Sequence, residues 1–154
     1  MNTTLKSFFT ALFIIVLITA CGGPDALYDL SGDTYQLRNT DSTLVDFPGD
    51  FKGNITLITF IYTNCQTACP VLTLALKRAQ EDAASGGYAD AVNFAEISFD
   101  PARDTPEALR QYAADRHVDL DAGNWYFLLP ESEARAKEVV QETFGIRFEK
   151  TTPE

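Results

Sequence analysis

The chain has little of what nucleic-acid-binding proteins need, which is clustered positive charge. Its 154 residues include 12 lysines and arginines against 22 aspartates and glutamates, a net charge of −10. Binding to nucleic acid depends on lysine and arginine side chains that neutralise phosphates. The charge balance therefore argues against a nucleic-acid partner, and most of the acidic residues are expected to form a solvated surface.

Residues that bind metal ions are also few. The chain has one histidine, His117, and three cysteines, Cys21, Cys65 and Cys69. Structural zinc usually takes four protein ligands, so this supply makes zinc a poor candidate. His117 lies at the end of a predicted helix, in the segment ADRHVDLD, and we interpret it as a helix-ending or surface residue rather than a ligand.

The first 20 residues are typical of a secretory signal. Lys6 precedes an apolar stretch that ends at Ala20, and this stretch is shorter than the roughly 20 residues of a comfortable transmembrane helix. The segment ITAC, ending at Cys21, resembles the lipobox of bacterial lipoproteins, in which the cysteine becomes the lipidated first residue. We therefore predict a signal peptide over 1–20, a tether over 21–34, and a lipid anchor on the cell membrane, facing the periplasm or the outer surface.

The remaining residues, 35–154, are predicted to form one α/β domain. Turn signals and weak alternation between Tyr35 and Phe51 indicate a hairpin or short strands. The run ITLITFIY predicts a strand that is buried on both faces, as in a parallel sheet. Three apolar runs are predicted as strands of the main sheet: 55–62, 91–99 and 124–129.

A helix is predicted after each of these three strands. The first begins near Pro70 and ends at Gly86; Thr105 or Asp104 caps the second, with Pro106 in its first turn; the third ends before Gly145. The expected inward faces are Leu72, Ala75, Leu76, Ala79 and Ala83, then Ala108, Leu109 and Tyr112, then Ala136, Val139, Val140 and Phe144. The alternation implies parallel β-α-β units. Further strands would be expected to complete such a sheet, so C-terminal elements are expected to be missing.

Cys65 and Cys69 lie where the first predicted strand leads into a helix, in the segment TNCQTACP. This junction belongs to the carboxyl edge of a parallel sheet, where α/β proteins usually place their sites. The free N–H groups at the start of the helix favour thiolate over thiol. If Cys21 carries lipid, these two cysteines remain as an isolated pair in an oxidising compartment.

Three interpretations of the pair stay open: a redox pair, half of a metal site, or a structural disulfide. Helical residues four apart have Cβ atoms about 5–6 Å apart, wider than the about 3.8 Å of a disulfide. This spacing favours a metal. However, Pro70 is expected to keep Cys69 out of the helix, in a loop that could close for a disulfide or open for a metal. Two thiolates suit copper(I). A bridge across so short a loop would contribute little stability, which disfavours the structural disulfide.

The segments FIYTNCQTACP and ISFDPARDTPEALRQYA together resemble the SCO/SenC family, thioredoxin-fold proteins of cytochrome c oxidase assembly. The resemblance extends from Leu27 to the end of the chain. It implies a thioredoxin-like fold with a central mixed sheet flanked by helices. It also implies a copper chaperone that binds copper through Cys65 and Cys69 and supplies the copper-bearing subunit of the oxidase, from a donor that the sequence does not identify. Family members are also credited with reducing the acceptor's cysteine pair, which is the alternative function.

The resemblance also assigns residues outside the pair. Asp100 matches the family's Asp-Pro, and we interpret it as a charge that orients a ligand or the partner, or that caps the turn after the strand. Arg103 and Asp104 match as structure around the start of the helix. Two departures stand out: Gln66, Thr67 and Ala68 precede Cys69 where the family commonly has Cys-Pro-Asp, and the family's histidine ligand would lie beyond Glu154. His117 does not occupy that histidine's place.

Overall fold

The protein is described by a computed structural model that covers Leu30 and residues 32–148. Five strands follow one another as β1 (Tyr35–Arg38), β2 (Leu44–Phe47), β3 (Ile55–Ile61), β4 (Val92–Ser98) and β5 (Trp125–Leu128). The helices are α1 (Ala68–Ser85), α2 (Pro106–Asp115) and α3 (Glu133–Lys137), and a π-helical segment (Glu138–Thr143) continues α3. The predicted signal peptide and Cys21 lie outside the described residues. Within the described residues, no helix is long and apolar enough to cross a membrane.

The strands form a mixed sheet, as expected. β3, β4 and β5 pair in parallel in that order, and β1 and β2 form an antiparallel hairpin. The hairpin joins the end of β5 through one antiparallel bridge. In this bridge, Arg38 N donates to Leu129 O at 2.9 Å and Leu129 N donates to Arg38 O at 2.8 Å. The parallel pairing of β3, β4 and β5 confirms the β-α-β units that the alternation of strands and helices predicts.

The prediction that β3 is buried on both faces is wrong. Ile55 is 65 % exposed and Leu57 is 37 % exposed. Within the described residues β3 pairs only with β4, so its outer edge and the first half of the strand face solvent. β4 is instead the buried strand, because β3 and β5 pair with its two edges and helices and the hairpin cover its faces.

The second and third helices follow their sequence signals. Thr105 is the N-cap of α2, its side chain accepts from Ala108 N, and Pro106 is the first helical residue. A proline is tolerated there because its missing N–H would have no helical partner. Gly145 adopts a φ of 67° after the π-helical segment, which is the left-handed conformation that glycine supplies at a helix end. The buried residues of these helices include Leu109, Tyr112, Ala136, Val139 and Val140.

The first helix departs from its prediction at its start and on its inward face. It begins at Ala68, so Cys69 lies inside it and Pro70 falls in its first turn, where an absent N–H breaks no helical bond. Leu72 is 40 % exposed and Ala75 is also exposed, whereas Thr73 and Leu76 are buried. The helix is rotated from the predicted face because Thr73 has hydrogen-bond partners in the interior.

The sheet separates two apolar cores. One lies under α1 and α2 and includes Phe94, Phe127 and the two cysteines. The other lies under the hairpin and α3 and includes Ala95 and Ile97. Successive residues of β4 alternate between these cores, as the pleat requires. Glu96, between Ala95 and Ile97, therefore points into the same core as Phe94 and the cysteines.

Candidate metal and thiol site

The two cysteines lie at the junction of β3 and α1. A turn closed by Cys65 N donating to Tyr62 O at 3.1 Å leads out of β3. Cys65 and Cys69 are each 4 % exposed, and both are free thiols. Cys69 N donates to Cys65 Sγ at 3.3 Å, so the sulfur accepts one of the N–H groups that have no partner at the start of a helix.

Cys65 is the more acidic thiol. Burial alone would raise its pKa, but hydrogen bonds from Cys69 and from the backbone N–H groups of Thr67 and Ala68 outweigh burial and lower the pKa to about 7. The ordinary value for this thiol is near 9.0. A helix start thus stabilises the thiolate, as the position of the pair in the sequence predicts.

Cys69 differs because it faces the core. Burial raises its pKa to about 12, and the hydrogen bond to Cys65 and the charges of Cys65 and Glu96 act in the same direction. At neutral pH the pair therefore holds a substantial fraction of thiolate at Cys65 and a protonated thiol at Cys69. The sequence predicts two activated sulfurs, but the pair is unequal, because Cys69 faces the core and burial opposes its ionisation.

Asp104 holds the turn that carries Cys65. Thr63 N donates to Asp104 Oδ1 at 3.1 Å, and Thr63 Oγ1 donates to the same oxygen at 2.6 Å. Ser98 Oγ, at the end of β4, donates to Asp104 Oδ2 at 2.5 Å. This buried carboxylate therefore ties the turn after β3 to the end of β4 and to the start of α2. The sequence resemblance assigns Asp104 a structural role around the start of the helix, and these contacts are consistent with that role. They also connect Asp104 to the turn that carries Cys65.

Asp100 follows β4 at the same edge of the sheet. It is 4 % exposed and pairs with Arg103, whose Nε lies 3.3 Å from its Oδ2. Its backbone also shapes the turn, because Arg103 N and Asp104 N donate to Asp100 O at 3.0 and 2.9 Å. The interpretation of Asp100 as a residue that caps this turn matches these contacts, and its role toward a ligand or partner stays a prediction.

His117 lies away from this turn, just beyond the end of α2. It adopts a φ of 53° and lines a polar cleft of about 590 Å³ with Lys77, Asp119 and Asn124, among residues that do not include the cysteines. Among residues 32–148, no group of three or more histidine, cysteine, aspartate or glutamate side chains is placed to hold a metal ion. The donor set of the described site is therefore the two thiols alone.

Sequence reasoning missed a buried polar group beneath the pair. Glu96 in β4 is fully buried, and its Oε2 accepts from Thr73 Oγ1 at 2.8 Å. Burial raises the pKa of Glu96 to about 7, although the Thr73 hydrogen bond and the charge of Arg116 act against the rise. The signal that could have revealed this group is a single carboxylate inside an apolar strand, facing a threonine on the helix that contains Cys69.

The arrangement of the sheet and the two thiols defines a class of protein. A parallel β-α-β sheet carries an unequal, free dithiol at a strand-to-helix junction, which is the arrangement of a thioredoxin-like thiol protein. Such a pair can exchange thiols for disulfides or bind a soft metal ion. A sequence profile of the SCO1/SenC family matches residues 25–154, and the chain belongs to that family.

Comparisons with individual proteins agree with the family. The SCO1 protein homolog of Bacillus subtilis is 33 % identical over 139 residues, which are 88 % of this chain and 68 % of that protein. BsSco is a member of the Sco family of cytochrome c oxidase assembly proteins in which a disulfide switch was identified. Its structure has a TM-score of 0.70 at 29 % identity. That alignment covers 82 % of this chain and 70 % of BsSco.

Two further structures extend the comparison. A SCO1/SenC family lipoprotein from Bacillus anthracis has a TM-score of 0.68 at 30 % identity, over 77 % of this chain and 66 % of the lipoprotein. ScoI of Bradyrhizobium japonicum, solved with copper bound, has a TM-score of 0.66 at 28 % identity, over 80 % of this chain and 72 % of ScoI. The thioredoxin-like fold implied by the sequence resemblance is confirmed by these structures.

Replacing Asp104 by alanine is expected to lower the free energy of unfolding by about 3 kcal/mol, because donors on Thr63 and Ser98 lose their acceptor in a buried place. Urea unfolding followed by circular dichroism measures the change. Asp121→Ala is the matched control, since Asp121 is an exposed aspartate in the loop before β5. The assignment is wrong if Asp104→Ala costs no more than this control.

Proposed function

We propose that the protein is a copper-binding metallochaperone that serves the assembly of the copper centre of cytochrome c oxidase, with Cys65 and Cys69 as its copper ligands. The observation that carries the proposal is the free, buried dithiol at the junction of β3 and α1. Two thiolates suit copper(I), which soft sulfur ligands select. Copper is here the cargo, and its acceptor is the copper-bearing subunit of the oxidase.

The family and its solved structures support this assignment. ScoI of Bradyrhizobium japonicum and ScoI of Arabidopsis thaliana were both solved with copper bound. In this chain Cys65 would be the first ligand, because it ionises near neutral pH, and copper would displace the proton of Cys69. Asp100, in the neighbouring turn, would orient the ligands or the acceptor, because its carboxylate pairs with Arg103.

Titrating the reduced protein with copper(I) in competition with a chromogenic chelator tests the proposal. Wild type is expected to bind one copper ion per chain, and Cys65→Ala and Cys69→Ala are each expected to weaken binding by more than about a hundredfold, since loss of a ligand exceeds loss of a residue that supports one. His117→Ala is the control and should bind as wild type does. Undiminished binding by the Cys65→Ala variant would contradict the proposal.

We also propose a second function, that of a membrane-anchored thiol–disulfide oxidoreductase that reduces the acceptor's cysteine pair. The observation that favours it is the inequality of the thiols, since an ionised thiol can attack a disulfide and a protonated one can resolve the product. BsSco, a similar protein, is described by its disulfide switch. The two functions are compatible because both use the same reduced pair.

The reaction of the reduced protein with one equivalent of a chromogenic aromatic disulfide tests the second function. Two coloured thiols should be released in sequence, the first by Cys65 and the second when Cys69 closes the pair. The pKa of Cys65 is lowered to about 7, so its thiolate fraction and the rate of the first release should rise between about pH 6 and pH 8 and then level. Cys69→Ser should keep the first release and lose the second; a wild type that releases only one thiol would exclude the reductase.

We infer that Cys21 carries the lipid anchor and that the domain faces outward from the cell membrane. The support is the lipobox-like ITAC and the description of the similar Bacillus anthracis protein as a lipoprotein. Cys21→Ser should move the protein from the membrane fraction to the soluble fraction, and incorporation of labelled fatty acid should be lost. Retention of the label in Cys21→Ser would contradict the anchor.

A further inference from the structure

An apolar cleft of about 340 Å³ lies between the end of β2 and the first half of β3. It belongs to the face of the sheet that the hairpin covers, opposite the face under α1. Its walls include the buried Phe47 and Phe51 and the half-buried Pro48, Thr56 and Ile58. Because apolar surface that faces water is stabilised when another apolar group covers it, this cleft is a candidate docking surface.

The amino-terminal part of the chain begins at this cleft. Leu30 is half-buried and lines it, and Asp33 N donates to Leu30 O at 3.2 Å in the turn that leads toward β1. The residues before Leu30 lie outside the described part of the chain, and the nearest of them, GPDALYD, include Leu27 and Tyr28. The chain itself therefore holds large apolar side chains next to the cleft, at a high effective concentration.

Tyr28 is the side chain of this segment that suits the cleft. In an extended segment, residues two apart lie on the same side, so Tyr28 shares the side of Leu30 and Asp29 lies on the other. An aromatic ring buries a large apolar area and can keep its hydroxyl at a wet edge. Lys52 is exposed at the margin of the cleft and offers Asp29 a positive charge, in a chain with 22 acidic and 12 basic residues.

We propose that the cleft is the docking site of the tether, with the Tyr28 ring seated beside Leu30 against Phe51 and Ile58. Docking itself requires no lipid, but its consequence for the position of the domain rests on the proposed anchor at Cys21. Seven positions separate Cys21 from Tyr28, which is at most about 25 Å of extended chain. The docked tether therefore holds the cleft side of the domain close to the membrane.

The docked tether also sets the direction in which the thiols face. Thr56 lies near the amino end of β3, whereas Cys65 follows its carboxyl end. A strand of this length spans about 20 Å, so the dithiol lies at the end of the sheet away from this part of the cleft. The acceptor that fits this arrangement is a protein group that projects from the membrane surface, rather than one that lies within the lipid.

The test is the rate at which an aspartate-specific protease cuts the chain before Asp29, measured by mass spectrometry on the anchored protein in membrane vesicles. Each chain is compared with a free peptide of its own residues 22–34, which gives the rate for an undocked segment. Wild type should be cut at least about tenfold more slowly than its peptide, since burying an aromatic side chain favours docking by more than that. Cutting before Asp121, in the exposed loop before β5, is the internal reference.

Variants on both sides of the contact identify the occupant. Tyr28→Ser should be cut as fast as its own peptide, and Tyr28→Phe, which keeps the ring, should stay protected. Thr56→Arg places a charge in the cleft and should also abolish protection, without changing the cut before Asp121. Thr43→Arg makes the same change at an exposed threonine of the hairpin turn, outside the cleft lining, and should leave protection unchanged.

The variant Cys21→Ser separates docking from the anchor. It should leave the membrane fraction and keep the protection before Asp29. Loss of protection in this variant would assign the cover to the lipid surface and overturn the docked tether, as would a wild type cut as fast as its peptide or a Tyr28→Ser chain that stays protected. A Cys21→Ser chain that remains on the membrane with its protection intact would overturn the anchor and leave the docked tether.

Discussion

The geometry of the dithiol depends on one buried carboxylate, that of Asp104. It accepts hydrogen bonds from the backbone and hydroxyl of Thr63 and from the hydroxyl of Ser98. Thr63 lies in the turn that ends at Cys65, so the turn after β3, the end of β4 and the start of α2 are fixed to one another. Asp104 is the second aspartate of the DPARDTP segment, and it holds the turn that ends at Cys65. This contact is the physical link between that segment and the cysteine pair.

With that turn fixed, the two sulfurs experience different surroundings only four residues apart. Cys65 lies before the helix and receives N–H groups from its first turn, whereas Cys69 lies within the helix and points to the core. The same helix start therefore favours the anion at one sulfur, while burial keeps the other protonated. In the proposed functions, the Cys65 thiolate would therefore meet a metal ion or a disulfide first, and the Cys69 thiol would react second.

Much of the fold follows from local signals in the sequence. Thr105 and Pro106 set the start of α2, Gly145 ends the last helical segment, and the three apolar runs become the parallel strands. These signals are reliable because capping and backbone conformation involve residues that are neighbours in the chain. The cysteine pair itself was also recognisable, because a strand that leads into a helix places its last residues at a defined edge of the sheet.

Two of the errors share one cause, which is contact between residues far apart in sequence. Helical spacing placed Leu72 and Ala75 inward, but the hydrogen bond between Thr73 and Glu96, 23 positions apart, turns the polar residue into the core. The burial of β3 was overestimated for a similar reason, because an apolar run does not reveal how many neighbours a strand has. Pro70 misled only about the helix start, since a proline disfavours helix in the residue before it but fits the first turn.

Glu96 breaks the rule that otherwise governs β4, whose residues lie in the two apolar cores. Among the described residues its carboxyl group has one hydrogen bond and no ion pair, so it destabilises the folded protein at any pH at which it ionises. The folded protein holds this proton more tightly than the unfolded chain does, so its contribution to stability falls as pH rises from the ordinary carboxyl range to about 7. Residues that violate local rules at a cost in stability tend to occur at functional sites. Thr73 joins this residue to the helix turn of Cys69, so the buried polar group is coupled by hydrogen bonds to the turn that carries the inner thiol.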